Sequence, residues 1–132
     1  KLKTKVIEFT EDLLFRKELT GKLVIDSIIL YGSAARHFLG QVNDNVDYDL
    51  NVFFRKPDGN DGDIRTMNLR GRPWNAGIYD GKKIDLMFNL LKPTDINWQS
   101  YIARQTTERW NRIMNNPILV LHPTRVNLEM LG

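Results

Sequence analysis

The sequence predicts an α+β domain, and three observations carry that prediction. Segments with the helical period of about 3.6 residues lie near both ends of the chain, over residues 4–20 and 95–115. Between them lie runs rich in β-branched and apolar residues, at 24–31 and 47–54, the second with strand-like alternation. Asp80-Gly81 then separates two further strand-like runs, and that dipeptide is a strong signal for a two-residue hairpin turn. With 132 residues, 42% of them apolar, the chain has enough material for one core and suits a single domain over 1–132.

Each element has its own justification. In residues 4–20, Val6, Phe9, Leu13 and the Leu14/Phe15 pair form an apolar face, and Gly21 is placed to stop the helix. Residues 24–31 form a largely buried strand that delivers the chain to Gly32-Ser33. Ala34 to Leu39 can then form a short helix ended by Gly40. Gln41 to Asn45 is polar and turn-like. In the strand that follows, Tyr48, Leu50, Val52 and Phe54 alternate with Asp47, Asp49, Asn51 and Phe53. One face is apolar; the other begins polar and ends aromatic. Asp58 to Asp63 is a surface loop, and Arg65, Arg70 and Arg72 make the next stretch basic. These arginines suit either a mixed surface loop or the lining of an anion site. Trp74 to Tyr79 and Lys82 to Leu90 are the two hairpin strands. Lys92-Pro93-Thr94-Asp95 opens the longest helix, with Trp98, Ile102, Trp110 and Ile113 as its apolar face, and Asn115-Asn116-Pro117 closes it. Ile118 to Leu121 is a short strand.

Composition excludes several classes. The chain has no cysteine, so disulfides and thiolate metal sites are absent, in keeping with a cytoplasmic setting. No apolar run approaches the roughly 20 residues of a membrane span, and the acidic residues Glu8, Glu11 and Asp12 spoil any signal-peptide pattern, so no membrane is expected as a partner. A net charge of +3 is mild, and basic residues are not gathered into a patch with interleaved aromatics, which leaves nucleic-acid binding without a specific signal. His37 and His122 are isolated and do not make a zinc site. The run from Asn43 fails as a calcium loop, because Tyr48 and Phe54 stand where that loop needs Gly and Glu.

The chemistry-bearing residues are Asp47 and Asp49. Residues two apart on a strand share a face, so the carboxylates point the same way and repel unless a cation or proton lies between them. Aspartate is also disfavoured in strands. A hard divalent cation held by oxygen answers both problems, and Mg²⁺ commonly takes one or two carboxylates together with substrate phosphates. The Gly32-Ser33 turn ahead of a helix offers backbone N–H groups to an anion. Ser33 has two readings, a helix cap or a phosphate contact, and with the carboxylates downstream we favour the second. Arg36, one turn on, is either a triphosphate contact or a solvated helix residue. Asp85, flanked by Ile84 and Leu86 on the second hairpin strand, can join Asp47 and Asp49 if its strand lies beside theirs.

Hydrophobic-Gly32-Ser33, a gap over 34–46, then Asp47-Tyr48-Asp49-Leu50 and a later Asp85 between apolar residues resembles the signature of the polymerase-beta-type nucleotidyltransferase superfamily. The resemblance covers about half the chain. It implies a small mixed β-sheet with helices packed mainly on one face, at this length of the minimal stand-alone type. It also implies a Mg- or Mn-dependent transfer of a nucleoside monophosphate from a nucleoside triphosphate, ATP by preference, to a hydroxyl, releasing pyrophosphate. Asp47, Asp49 and Asp85 would be the catalytic metal-holding residues, and Gly32, Ser33 and Arg36 would hold phosphates. Some minimal members of that superfamily work with a helical partner protein. The chain departs from the pattern at Ala34 and His37, where many relatives carry Arg and Gly. The alternative is a weak or inactive protein that keeps the fold as an antitoxin-like or regulatory partner.

Overall fold

The computed structural model describes residues 1–41, 47–69 and 73–123. The polar turn before Asp47, Arg70, Arg72 and the tail after Pro123 lie outside the described residues. In chain order the elements are α1 (Leu2–Arg16), β1 (Val24–Tyr31), α2 (Ser33–Phe38), β2 (Asp47–Arg55), a single 3-10 turn (Ile64–Met67), β3 (Trp74–Tyr79), β4 (Lys82–Leu90), α3 (Trp98–Ala103), α4 (Glu108–Met114) and β5 (Leu119–His122). The strands form one mixed sheet in the order β3-β4-β2-β1-β5. β2 and β4 are parallel; every other pairing is antiparallel. The α+β class with a small mixed sheet is the one expected.

Two positions explain the mixed character. Asp80 and Gly81 both take positive φ, 51° and 74°, the type I′ geometry that matches strand twist. That turn folds β3 back along β4, so β4 runs parallel to β2 beside it. The side-chain period of two then sorts the residues by face. Ile28, Leu30, Tyr48, Leu50, Val52, Phe54, Ile84, Leu86 and Phe88 are buried in the larger core, under Leu2, Val6, Leu13 and Leu14 of α1 and Ala34 and Ala35 of α2. The longer helical cover is therefore on this face. The opposite face carries a smaller aromatic core, where Ile29 and Phe53 meet Ile102 of α3 and Trp110 and Ile113 of α4. Ring centroids of Phe53 and Tyr101 are 5.3 Å apart, and those of Tyr101 and Trp110 are 5.5 Å apart, both edge-on.

Two helical boundaries differ from the sequence expectation. The first helix ends at Arg16, ahead of Gly21. Glu18 takes the left-handed conformation at φ 59°, its N–H donates to Phe15 O at 3.1 Å, and Leu19 N–H donates to Leu14 O at 2.8 Å. These paired bonds form a Schellman stop, which the side chain of Leu19 helps by packing on the core. The expected long helix over 95–115 is two short ones. Asn97 Oδ1 accepts from Ser100 N–H at 2.9 Å to start α3, and Thr107, extended at φ −80° and ψ 147°, starts α4. Between them Arg104 turns back to grip Asp95. The break aims both Ile102 and Trp110 at the sheet, which a straight rod over a twisted sheet would not do.

Candidate functional site

Three neighbouring strands bring the site together at one level of the sheet. Tyr31 on β1 is the register partner of Asp49 on β2, and Asp49 is the register partner of Asp85 on β4. Adjacent strands lie about 4.8 Å apart, so the two carboxylates stand side by side on the face that α3 and α4 partly cover. Asp47 is two residues back along the same face of β2, where its register partner is Lys83. The carboxyl of Asp49 is raised above its ordinary value, first by burial, then by the charge of Asp85, then by that of Asp47. Asp49 thus feels both other acids.

Gly32 follows β1 directly. Its backbone, φ 77° and ψ −151°, lies in a region that is essentially glycine-only. A methyl group built there would lie 3.7 Å from Asp49 Oδ2, so the bend sits against the carboxylate. We expect Gly32→Ala to lower stability by about 1–3 kcal/mol through backbone strain, without a steric clash. A chemical melt that leaves the midpoint unchanged would contradict this assignment. Gly32, not Ser33, is the N-cap of α2, and no side-chain cap bond is made there. The guanidinium of Arg36 is exposed and donates to Asn116 Oδ1.

The acids open into a pocket of about 270 Å³ lined by Tyr31, Asp49, Pro73, Asp85, Met87 and Arg109. Sequence reasoning did not single out Tyr31 or Arg109. Arg109 belongs to α4, 24 residues beyond Asp85 in the chain, and no local pattern ties it to the acids. Tyr31, at the end of an apolar strand, reads as core, although its register partner is Asp49. Burial raises the Tyr31 phenol above its usual value, against the hydrogen bond and charge of Arg109, so the phenol stays protonated at neutral pH. Below it runs a buried polar row. Asn89 Nδ2 donates to Asn51 Oδ1 at 3.0 Å, and the Tyr101 hydroxyl donates to Asn89 Oδ1 at 3.4 Å. A wider groove of about 690 Å³ runs between Asp61–Arg65 and Arg104, but its charges are mixed and Asp95 already grips Arg104, so size does not outweigh chemistry.

Among the described residues, no three His, Asp or Glu side chains stand in a ready metal-holding group. The donor chemistry nonetheless fits a hard cation. Asp49 and Asp85 supply carboxylate oxygens in register, and the like charges that raise Asp49 are what a cation would relieve. Among the described residues no helix is long and apolar enough to cross a membrane. Comparison of the chain with protein-family models, curated proteins and solved structures finds no match.

Proposed function

We propose that the chain is a Mg-dependent nucleotidyltransferase, moving a nucleoside monophosphate from a nucleoside triphosphate, ATP by preference, to a hydroxyl acceptor with release of pyrophosphate. The observation that supports it most is the pairing of Asp49 with Asp85 in register beside Gly32, with Asp47 close enough for its charge to be felt. Asp49 and Asp85 would hold the cation, with Asp47 joining them from the next level of β2. Bound there, Mg²⁺ would neutralise phosphate charge and align the triphosphate. The protein's own part is positioning and electrostatics, because in-line displacement at phosphorus leaves little covalent work to side chains. Asp85 would also accept the proton of the attacking hydroxyl. Gly32 and Ser33 would face the phosphates from the other side of Asp49. A cytoplasmic setting, where nucleoside triphosphate and Mg²⁺ are plentiful, fits this reading.

The test is nucleotide binding with each of the four common ribonucleoside triphosphates, with Mg²⁺ or Mn²⁺ and without. We expect cation-dependent binding by the parent and its loss in the Asp47→Ala/Asp49→Ala double variant. Equal binding by both proteins would remove the metal role. Binding without transfer to any offered hydroxyl would favour a non-catalytic nucleotide-binding partner of the same fold.

A further inference from the structure

We infer that Arg109 is the phosphate-binding cation of this pocket, and that the pocket takes the polyphosphate end of the nucleotide and leaves the nucleoside outside. This inference rests on the nucleotidyltransferase reading. Arg109 shares a small pocket with Asp49 and Asp85, yet among the described residues no ion pair joins it to either. Its guanidinium meets the Tyr31 phenol and lies 5.4 Å from the centre of the Trp110 ring. The positive and negative walls are thus both unquenched by each other. A ligand that brings a cation and an anion together satisfies both at once, the cation on the carboxylates and the anion on the guanidinium.

Arg109 is also held in place for that work. Tyr31 ends β1 at the level of Asp49, and Trp110 is buried against Phe53, so sheet and helix both fix the arginine's base. A planar guanidinium that shares the pocket with the Tyr31 phenol and lies over the Trp110 ring face presents N–H groups in a fork suited to phosphate. The size of the pocket narrows the ligand further. About 270 Å³ is below the roughly 300–1,000 Å³ typical of sites that enclose a whole small molecule. Arg36, the arginine the sequence offers for this role, is not among the residues that line this pocket.

The experiment compares the parent with Arg109→Ala and Arg109→Lys. Three ligands are titrated: Mn²⁺ alone, Mn²⁺ with ATP, and Mn²⁺ with inorganic tripolyphosphate. We expect Arg109→Ala to weaken ATP and tripolyphosphate binding alike, by roughly ten- to a hundredfold, the usual size for losing a charged hydrogen-bond donor. Mn²⁺ alone should bind as in the parent, and Arg109→Lys should recover part of the loss by keeping the charge without the fork. Arg109 is exposed, so the melting temperature should hold and serve as the check on folding. Unchanged ATP binding in Arg109→Ala overturns the inference and leaves the nucleotidyltransferase reading standing. Loss of ATP binding with tripolyphosphate binding intact also overturns it, because Arg109 would then contact the nucleoside. A parent that binds neither ligand overturns both.

Discussion

Asp49→Asn is expected to melt at a higher temperature than the parent in metal-free buffer, and to bind Mn²⁺ at least about a hundredfold more weakly. On the proposed reading Asp49 would be a direct ligand, so the loss of affinity should exceed the roughly 10–100-fold cost of removing an outer-shell partner. The sign of the stability change follows from where protons bind. Burial, then Asp85 and Asp47, raise Asp49 in the folded state. A raised folded value means that the folded chain holds the proton more tightly than the unfolded one. The penalty is therefore absent below the unfolded value and grows as pH rises through the window above it. At neutral pH the ionised carboxylate opposes folding, and the amide removes that charge while keeping the shape. Thermal melts of the parent and Asp49→Asn with and without Mn²⁺ measure both halves. A variant that melts lower than the parent in chelator would mean that Asp49 has a stabilising partner, and the cation site would lose its main physical support.

Arg104→Ala is expected to destabilise the fold by about 2–4 kcal/mol, towards the lower part of the range for breaking a buried ion pair. Asp95 is 4% exposed, and Arg104 donates to it through Nε at 2.9 Å and Nη2 at 2.8 Å. The Lys92 N–H donates to it as well, at 2.8 Å. Arg104 itself is partly in water, 35% exposed along its side chain, which discounts the pair's energy. Truncation leaves the carboxylate buried without its fork, and most of the cost lies there. The hydrogen bond from Arg104, aided by the Lys92 amide and the charges of Arg104 and Arg55, holds the Asp95 carboxyl below its ordinary value against the opposing effect of burial. A lowered folded value gives stability that is full above the unfolded value and is lost as pH falls through the folded one. The parent should therefore lose stability below about pH 4, the ordinary aspartate value. Arg104→Ala should show a shallower acid limb. Denaturant melts from pH 7 to pH 2 measure this, and an identical acid limb in both proteins would show that Asp95 is not the titrating group. The two carboxylates act in opposite senses. Acidification first relieves Asp49 and then, at lower pH, discharges Asp95.

Much of the fold was legible because local signals agreed with packing. The Asp80-Gly81 turn needed two positive φ values, which glycine takes freely and aspartate tolerates, and both are present. The alternation in β2 sorted Tyr48, Leu50, Val52 and Phe54 from Asp47, Asp49, Asn51 and Phe53, and the two cores divide along that line. The helix over 95–115 misled because an apolar period persists across a break. Trp98, Ile102, Trp110 and Ile113 keep nearly helical spacing whether or not the backbone turns at Arg104. The stop of α1 at Glu18 was hidden because a non-glycine residue took the left-handed position.

The order of residues along the chain by itself determined the strands, the hairpin, the inward and outward faces of β2 and the candidacy of its acids. These depend on side-chain period and on turn chemistry, which act over a few residues. Only the tertiary structure decided that β4 runs parallel to β2 with Asp85 at the level of Asp49, that Tyr31 completes that level, and that Arg109 rather than Arg36 enters the pocket. Those outcomes depend on strand order and on where a helix lands across the sheet. They are set by burial of the aromatic core around Phe53 and Trp110, a force without sequence range.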